Sequence, residues 1–342
     1  MGYYMEKKIV AGILVAIILI ATAFASGYYL RQPSTTPSSQ IIQTSQIMQT
    51  SQTSPAIQTS ETTQPAAYQG TKIKVVAAEN FWGSLVSQLG GTHTQVLSIV
   101  TDPNADPHEY ASNSRDARAI ADAAFVIVNG AGYDDWALKI MAASNTPNQK
   151  VLNVANLLGK KEGDNPHFWY SPYYVNATVK AMYSDLVAID PAGAMYYAQQ
   201  YAALKAALGV YNTRISTIRA LFHGTKVAAT ESIFVYLANA TGLVLVSPQA
   251  FMEAVAEGND PPAQSVVQFE NEIRAGHVTV LIYNAQTVTP LTENIKTLAT
   301  AKGIPVVAVT ETIQPEDVTF QDWQNAQLLF LQNALNAQAL GH

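Results

Sequence analysis

Two short phrases, Asp106-Pro107-His108 and Asn165-Pro166-His167, each set a histidine directly behind a proline in what reads as a loop. The chain has six histidines in all, and these two share one local setting about sixty positions apart. Proline fixes its own φ and pushes the residue before it toward extended geometry, so each phrase is a stiff pedestal that aims an imidazole. Imidazole is the commonest side-chain metal ligand, and stiff placement is what a metal site needs. Two acids extend the set. The apolar run 226–230 leads straight into Glu231, and the run 306–310 leads straight into Glu311. If both runs are strands of one parallel sheet, their ends point to one edge and the acids lie near each other. Close carboxylates repel and raise one another's pKa unless a cation sits between them. His108, His167, Glu231 and Glu311 then form a nitrogen-and-oxygen set whose charge with a divalent ion is zero, which suits burial. Taken singly, each glutamate reads as readily as a helix-start residue favoured by the helix dipole, and each histidine as a structural one. The joint arrangement is what points to a metal.

The elements that must position these residues alternate between short apolar runs and helical stretches. Strands are expected over 73–78, 94–100, 125–128 and 151–154, with helices through Phe81, Leu85 and Leu89, over 115–121, and through Trp136 and Ile140. Tyr197, Tyr201, Leu204, Leu208, Tyr211, Ile215, Ile218 and Phe222 then recur at spacings of three or four. That stripe predicts one helix over 191–222, with Pro191 suited to its first turn and a length of roughly 48 Å at 1.5 Å per residue. The alternation restarts with strands over 226–229, 243–246, 278–283 and 305–309. Helices are expected from Ile233, over 266–275, through Leu291 and Leu298, and over 321–340. The expected class is α/β: two lobes, each a mainly parallel sheet flanked by helices, joined by one long rigid helix. The expected bounds are 71–190 for the first lobe, 191–222 for the linking helix and 223–342 for the second.

Composition narrows the function. The apolar share of 48% is ordinary, whereas 13% charged residues falls well below the usual quarter. A net charge of -6 gives no basic footprint and argues against nucleic acid. There is no cysteine, which excludes disulfides, thiolate zinc sites, a cysteine nucleophile and a lipidated cysteine. Residues 1–32 read as a signal or membrane anchor. Lys7 and Lys8 precede a charge-free, mainly apolar stretch close to the ~20 residues that span a bilayer. Ala23-Phe24-Ala25-Ser26 resembles a cleavage site, and the length of the run favours an uncleaved anchor. Either way the rest of the chain is expected outside the cytoplasm. Residues 33–70 are rich in Ser, Thr and Gln, with Glu61 as the one charge, and read as a disordered stalk.

At these residues the chain resembles the extracytoplasmic solute-binding proteins of zinc and manganese ABC importers. The resemblance covers 71–342 and rests on Asp106-Pro107-His108-Glu109-Tyr110, Asn129-Gly130 with Tyr133, and Asn165-Pro166-His167-Phe168-Trp169. Thr230-Glu231, Tyr283-Asn284-Ala285-Gln286-Thr287 and Thr310-Glu311-Thr312 continue it. It implies two α/β lobes, a rigid linking helix and one metal ligand from each of four loops: His108, His167, Glu231 and Glu311. It implies an ABC permease as partner, a metal as cargo and a monomeric protein. By the resemblance, zinc members carry a third histidine where Glu231 stands and manganese members a glutamate as here, while the last ligand of the family is usually an aspartate where Glu311 stands. Glu316 and Asp317 therefore stand as alternatives to Glu311. Zinc members also often carry a histidine-rich loop, whereas 133–149 here contains no histidine. The glutamate at 231 and the missing histidine-rich loop favour Mn2+ slightly over Zn2+ as cargo.

Two competing readings are a surface adhesin, supported by the anchor and stalk, and a metallohydrolase. An enzyme needs a vacant coordination position and a general base, and no His-Glu-x-x-His helix or nucleophile elbow is present. Because only neutral imidazole binds a metal, affinity is expected to weaken as pH falls through roughly 6.5.

Overall fold

The computed structural model describes residues 70–340, apart from 105 and 145. The expected anchor over 1–32 and nearly all of the stalk over 33–70 lie outside the described residues. No helix among the described residues is long and apolar enough to cross a membrane.

The first half runs β1 (Ile73–Glu79), α1 (Asn80–Gly90), β2 (Thr94–Val100), α2 (Ser114–Asp122), β3 (Phe125–Val128), α3 (Asp135–Ser144), β4 (Lys150–Asn153), α4 (Val154–Leu157) and α5 (Pro172–Ile189). The long helix α6 (Ala194–Phe222) follows. The second half runs β5 (Lys226–Ala229), α7 (Val235–Thr241), β6 (Val244–Leu245), α8 (Gln249–Ala256), α9 (Ala263–Arg274), β7 (Leu281–Asn284), α10 (Pro290–Ala301), β8 (Val306–Val309) and α11 (Phe320–Leu340). The strand orders are β2-β1-β3-β4 and β6-β5-β7-β8, and every pairing is parallel. The two halves thus repeat one doubly wound topology. In such sheets the order reverses between the first and third strands, and the crevice at the carboxyl ends there receives ligands.

Side-chain alternation explains the layers, because successive residues of a strand face opposite sides of the sheet. Val75, Ala77, Phe125 and Ile127 enter one central core, while Val76, Ala78, Val126 and Val128 enter an outer core with Ile120 and Ala137. In the second half Val227, Ala229, Ile282, Val307 and Val309 face the same central core. Ala228 and Leu281 face outward to Phe251, Phe269 and Ile295. Both faces of each sheet are covered, which is why these strands read as continuous apolar runs rather than alternating ones.

Helix α6 buries Tyr197, Leu204, Leu208, Tyr211, Ile215, Ile218 and Phe222 in the central core shared by the two halves. Its 29 residues make it about 43 Å long. Pro191 does not open this helix, because 191–193 form a separate 3-10 turn that Asp190 caps by accepting the Gly193 N–H. His93 packs flat on Tyr196 with ring centroids 4.1 Å apart. Its Nδ1 lies 3.3 Å from Asp190 Oδ2.

Candidate metal centre

Each histidine is carried by a short polar turn. Asp106 Oδ1 accepts the His108 N–H at 3.0 Å, and Asn165 Oδ1 accepts the His167 N–H at 3.0 Å. Both phrases are therefore the same Asx turn with a proline in the middle, which is how the sequence stiffens them. Downstream of His108 the loop is fastened to α2. Asn113 and Asp116 make a reciprocal capping box, and Tyr110 OH donates to Asp116 Oδ2 at 2.9 Å. Asn165 does more than turn the chain. Its Oδ1 also lies 2.9 Å from His167 Nδ1, so the ring donates there and turns the lone pair of Nε2 inward.

The carboxylates come from the second sheet. Glu231 follows β5 and Glu311 follows β8, and both are fully buried, as is His167. His108 keeps a 20% exposed side chain. One ligand atom each from His108, His167 and Glu311 all lie within 4.8 Å of one another. Glu311 Oε2 is 3.4 Å from His108 Nε2 and 3.9 Å from His167 Nε2. Glu231 joins from the His167 side, with Oε1 3.9 Å from His167 Nε2. Glu231 also accepts the Ile233 N–H at 3.2 Å, so it serves as a helix-start residue too. Glu316 and Asp317 are exposed and stand outside this group.

Three buried atoms here have no hydrogen-bond partner: His108 Nε2, His167 Nε2 and Glu231 Oε2. Burial, and then the neighbouring His108, push His167 below its ordinary range, so it is neutral at pH 7 and its lone pair is available. The weakening of affinity expected near pH 6.5 therefore does not fall on His167. Burial, and then the charge of Glu311, push the Glu231 carboxyl well above the usual range.

Several further residues, some already part of the sequence motifs, contribute through contacts that the sequence does not specify. Tyr133 OH donates to Glu311 Oε2 at 2.7 Å. Tyr133 is delivered by a coil in which Gly130, Ala131 and Gly132 all have positive φ (77, 56 and 88°). Asp134 fastens that coil by accepting the N–H groups of Asn129 and Gly130 at 2.6 and 2.8 Å. Behind it lies Glu79, buried at the end of β1, where burial and then the charge of Asp134 hold its carboxyl well above the usual range. Asn284, Thr287 and Asp106 surround the two glutamates from the remaining side. Trp169 walls the site, with its ring centroid 5.2 Å from that of His167 and stacked at 4.0 Å on Phe81. A cleft of about 1230 Å³ opens from His108 and Tyr133 past Asn165 and Ser232. It carries Glu162, Asp164, Glu253 and Glu257 and no lysine or arginine among its lining residues. Only the long-range pairings reveal these roles. Tyr133 and Glu311, for example, are 178 positions apart.

Comparison with known proteins agrees with this architecture. The family model described as zinc-uptake complex component A, periplasmic, matches residues 75–334, and the chain belongs to that family. A manganese-binding lipoprotein, MntA, of Halalkalibacterium halodurans is 30% identical over 133 residues, covering 37% of this chain and 43% of its own length. The iron-binding protein YfeA of Yersinia pestis is 29% identical over 181 residues, covering 50% of this chain and 57% of its own. The chain thus spans about half the length of the curated relatives it matches. Among solved structures, the periplasmic zinc-binding protein TroA from Treponema pallidum superposes with a TM-score of 0.66 at 14% identity, covering 78% of this chain and 99% of its own. A crystal structure of ZnuA gives 0.63 at 21% identity, covering 77% and 99%. At these identities the two structures establish the fold.

Proposed function

We propose that the protein is an extracytoplasmic receptor that holds one divalent transition-metal ion between its two halves and delivers it to an ABC-type permease. His108, His167, Glu231 and Glu311 are its ligands. The observation that carries this reading is the convergence of ligand atoms of His108, His167 and Glu311 within 4.8 Å of one another, with both imidazole Nε2 atoms, and Oε2 of the neighbouring Glu231, buried without a hydrogen-bond partner. Each such atom costs on the order of 1–3 kcal/mol when left unsatisfied, and one cation would satisfy all of them together. Family membership and the similarity to manganese- and iron-binding relatives support the same reading.

The ion is cargo. The carboxylate at 231 makes Mn2+ the favoured ion, and the two imidazoles also suit Zn2+. Four protein ligands complete the tetrahedron that zinc takes, and no His-Glu-x-x-His helix or nucleophile elbow is present, which supports a receptor over a hydrolase. The lobes are assigned to 71–190 and 223–342, with 191–222 between them, in a monomer. The 1–32 segment, by its apolar length, tethers the protein to the membrane or exports it. The test is metal content and affinity of the full chain against its His167→Ala and Glu311→Ala variants. One ion per wild-type molecule, with loss of about 100-fold or more in affinity in either variant, is expected for removal of a ligand when removal of an outer partner alone costs 10–100-fold. Undiminished binding in both variants refutes the site.

A further inference from the structure

Asn284 is a buried amide in contact with both glutamates, and its position follows from the sheet order. β7 lies between β5 and β8, and Glu231 and Glu311 extend from those two outer strands. Strands sit about 4.8 Å apart, so the acids are separated by one intervening strand whose last residue is Asn284. Its Nδ2 is 3.1 Å from Glu231 Oε1, 2.8 Å from Glu311 Oε1 and 3.0 Å from Thr287 Oγ1. Its Oδ1 accepts the Gln286 N–H at 3.0 Å, and its own N–H donates to Thr230 Oγ1 at 3.2 Å. These partners fix the amide with its NH2 toward the acids, since the opposite orientation would face its carbonyl oxygen to two carboxylates.

An NH2 group has two hydrogens, and both carboxylates take one on their Oε1 atoms. Thr287 lies 3.3 Å from Glu311 Oε1 and reinforces the same oxygen. The second oxygen of each glutamate is Oε2, which in Glu311 also accepts the Tyr133 hydroxyl at 2.7 Å. In Glu231 that atom is buried and unpartnered, while Oε1, 3.9 Å from His167 Nε2, also accepts the Ile233 N–H; in Glu311 Oε2 is the oxygen facing both imidazoles.

Resting on the receptor reading above, we infer that Asn284 is a specificity-determining positioning residue that restricts Glu231 and Glu311 to one ligating oxygen each. The amide denies the cargo a bidentate carboxylate and sets a coordination of two nitrogens and two oxygens. Four such ligands satisfy zinc, which is content with a tetrahedron, whereas manganese favours a larger, oxygen-rich shell. Asn284 therefore holds back manganese affinity more than zinc affinity. A restrained grip also suits a receptor that must release its cargo.

The test compares Asn284→Ala with the wild type, using the full chain loaded with manganese chloride or zinc sulfate and titrated against a competing chelator. X-ray absorption then counts the nearest neighbours of each ion. The expected result is a rise of about tenfold or more in the manganese-to-zinc affinity ratio, in line with what outer partners of ligands contribute. The manganese shell should gain at least one oxygen. Any general loss of site order moves both metals together and leaves the ratio alone. If Asn284→Ala does not fold, Asn284→Ser, which keeps a single donor, is expected to give a smaller shift in the same direction. A ratio within threefold of wild type with an unchanged manganese shell overturns the inference. A wild type that binds neither metal instead refutes the receptor reading itself.

Discussion

His167 has its Nδ1 held by Asn165, its ring walled by Trp169 and its Nε2 left free. The orienting amide should matter for affinity more than for folding, since Asn165 is only partly buried. Replacing Asn165 by alanine is expected to weaken metal binding by about 10–100-fold while the metal-free protein keeps its secondary structure. Chelator competition and circular dichroism check this, and a change under threefold would show that the ring needs no such anchor. Glu79 gives a second expectation, this time for stability. Burial and Asp134 hold its carboxyl well above the usual range, and burial holds Asp134 at about 6. Both folded-state values are raised, so the stability these groups contribute is complete below the carboxylate range of the unfolded chain. It is lost as pH climbs through the folded values. Glutamine at position 79 cannot ionise. The Glu79→Gln variant should therefore gain stability relative to wild type between pH 5 and pH 8, by up to about 1.4 kcal/mol for each pH unit over which the wild-type group is forced to ionise in the unfolded chain alone. Denaturant unfolding at the two pH values measures it, and an equal difference at both would contradict the assignment. The histidines were legible in sequence because an Asx-Pro-His turn is local. Asn284 was not, because its meaning depends on which strands flank it.

Among the elements, the coil after β3 turns through three successive positive-φ residues, 130 to 132. Gly130 has φ 77°, and a Cβ there would come within 2.5 Å of Asn153 Oδ1 and 2.9 Å of the Ala155 Cβ. Gly163 has φ 84° with nothing within 4 Å of such a Cβ. Both glycines precede site residues, Tyr133 and Asn165, so they form a controlled pair. Alanine at 163 should cost only the left-handed backbone penalty, on the order of 1–3 kcal/mol, whereas alanine at 130 adds the clash and should cost more. Comparing the two by thermal unfolding decides the matter, and an equal or smaller cost at 130 would mean the coil gives way freely. The strand runs of both halves were legible because buried parallel strands are uninterrupted apolar segments. Their exact ends were less so. The expected strand over 278–283 is assigned as Leu281–Asn284, yet Thr279 N still donates to Lys226 O at 2.9 Å and Ala228 N to Val280 O at 3.0 Å. The backbone there is already extended and bonded before the regular ladder begins. Helices α5 and α8 were not picked out, because α8 is short and α5 follows the site loop without a break in apolar character.

Across the whole folded part, the two halves meet around the site. Tyr170 OH donates to Thr310 O at 2.8 Å, Tyr236 OH to Asn165 O at 2.7 Å, and Gln314 Nε2 to Pro103 O at 2.9 Å. Asn80 Oδ1 accepts the Ile313 N–H at 3.0 Å. Beneath these bonds α6 and one continuous apolar core run through both halves. A wide opening would have to break that core as well as the hydrogen bonds, and packed interiors shift between discrete arrangements rather than stretch. Loading should therefore stabilise the protein with little change of shape. At a metal concentration 100 times the dissociation constant, binding confined to the folded state adds about 2.7 kcal/mol to the unfolding free energy. The increment should vanish in His167→Ala, whose site has lost an imidazole. Small-angle scattering should meanwhile give radii of gyration for the metal-free and loaded folded part that agree within about 1 Å, a small fraction of the radius expected for a chain of this size. A contraction of several ångströms on loading would mean that the halves part widely when empty, and that neither the shared core nor the linking helix restrains them.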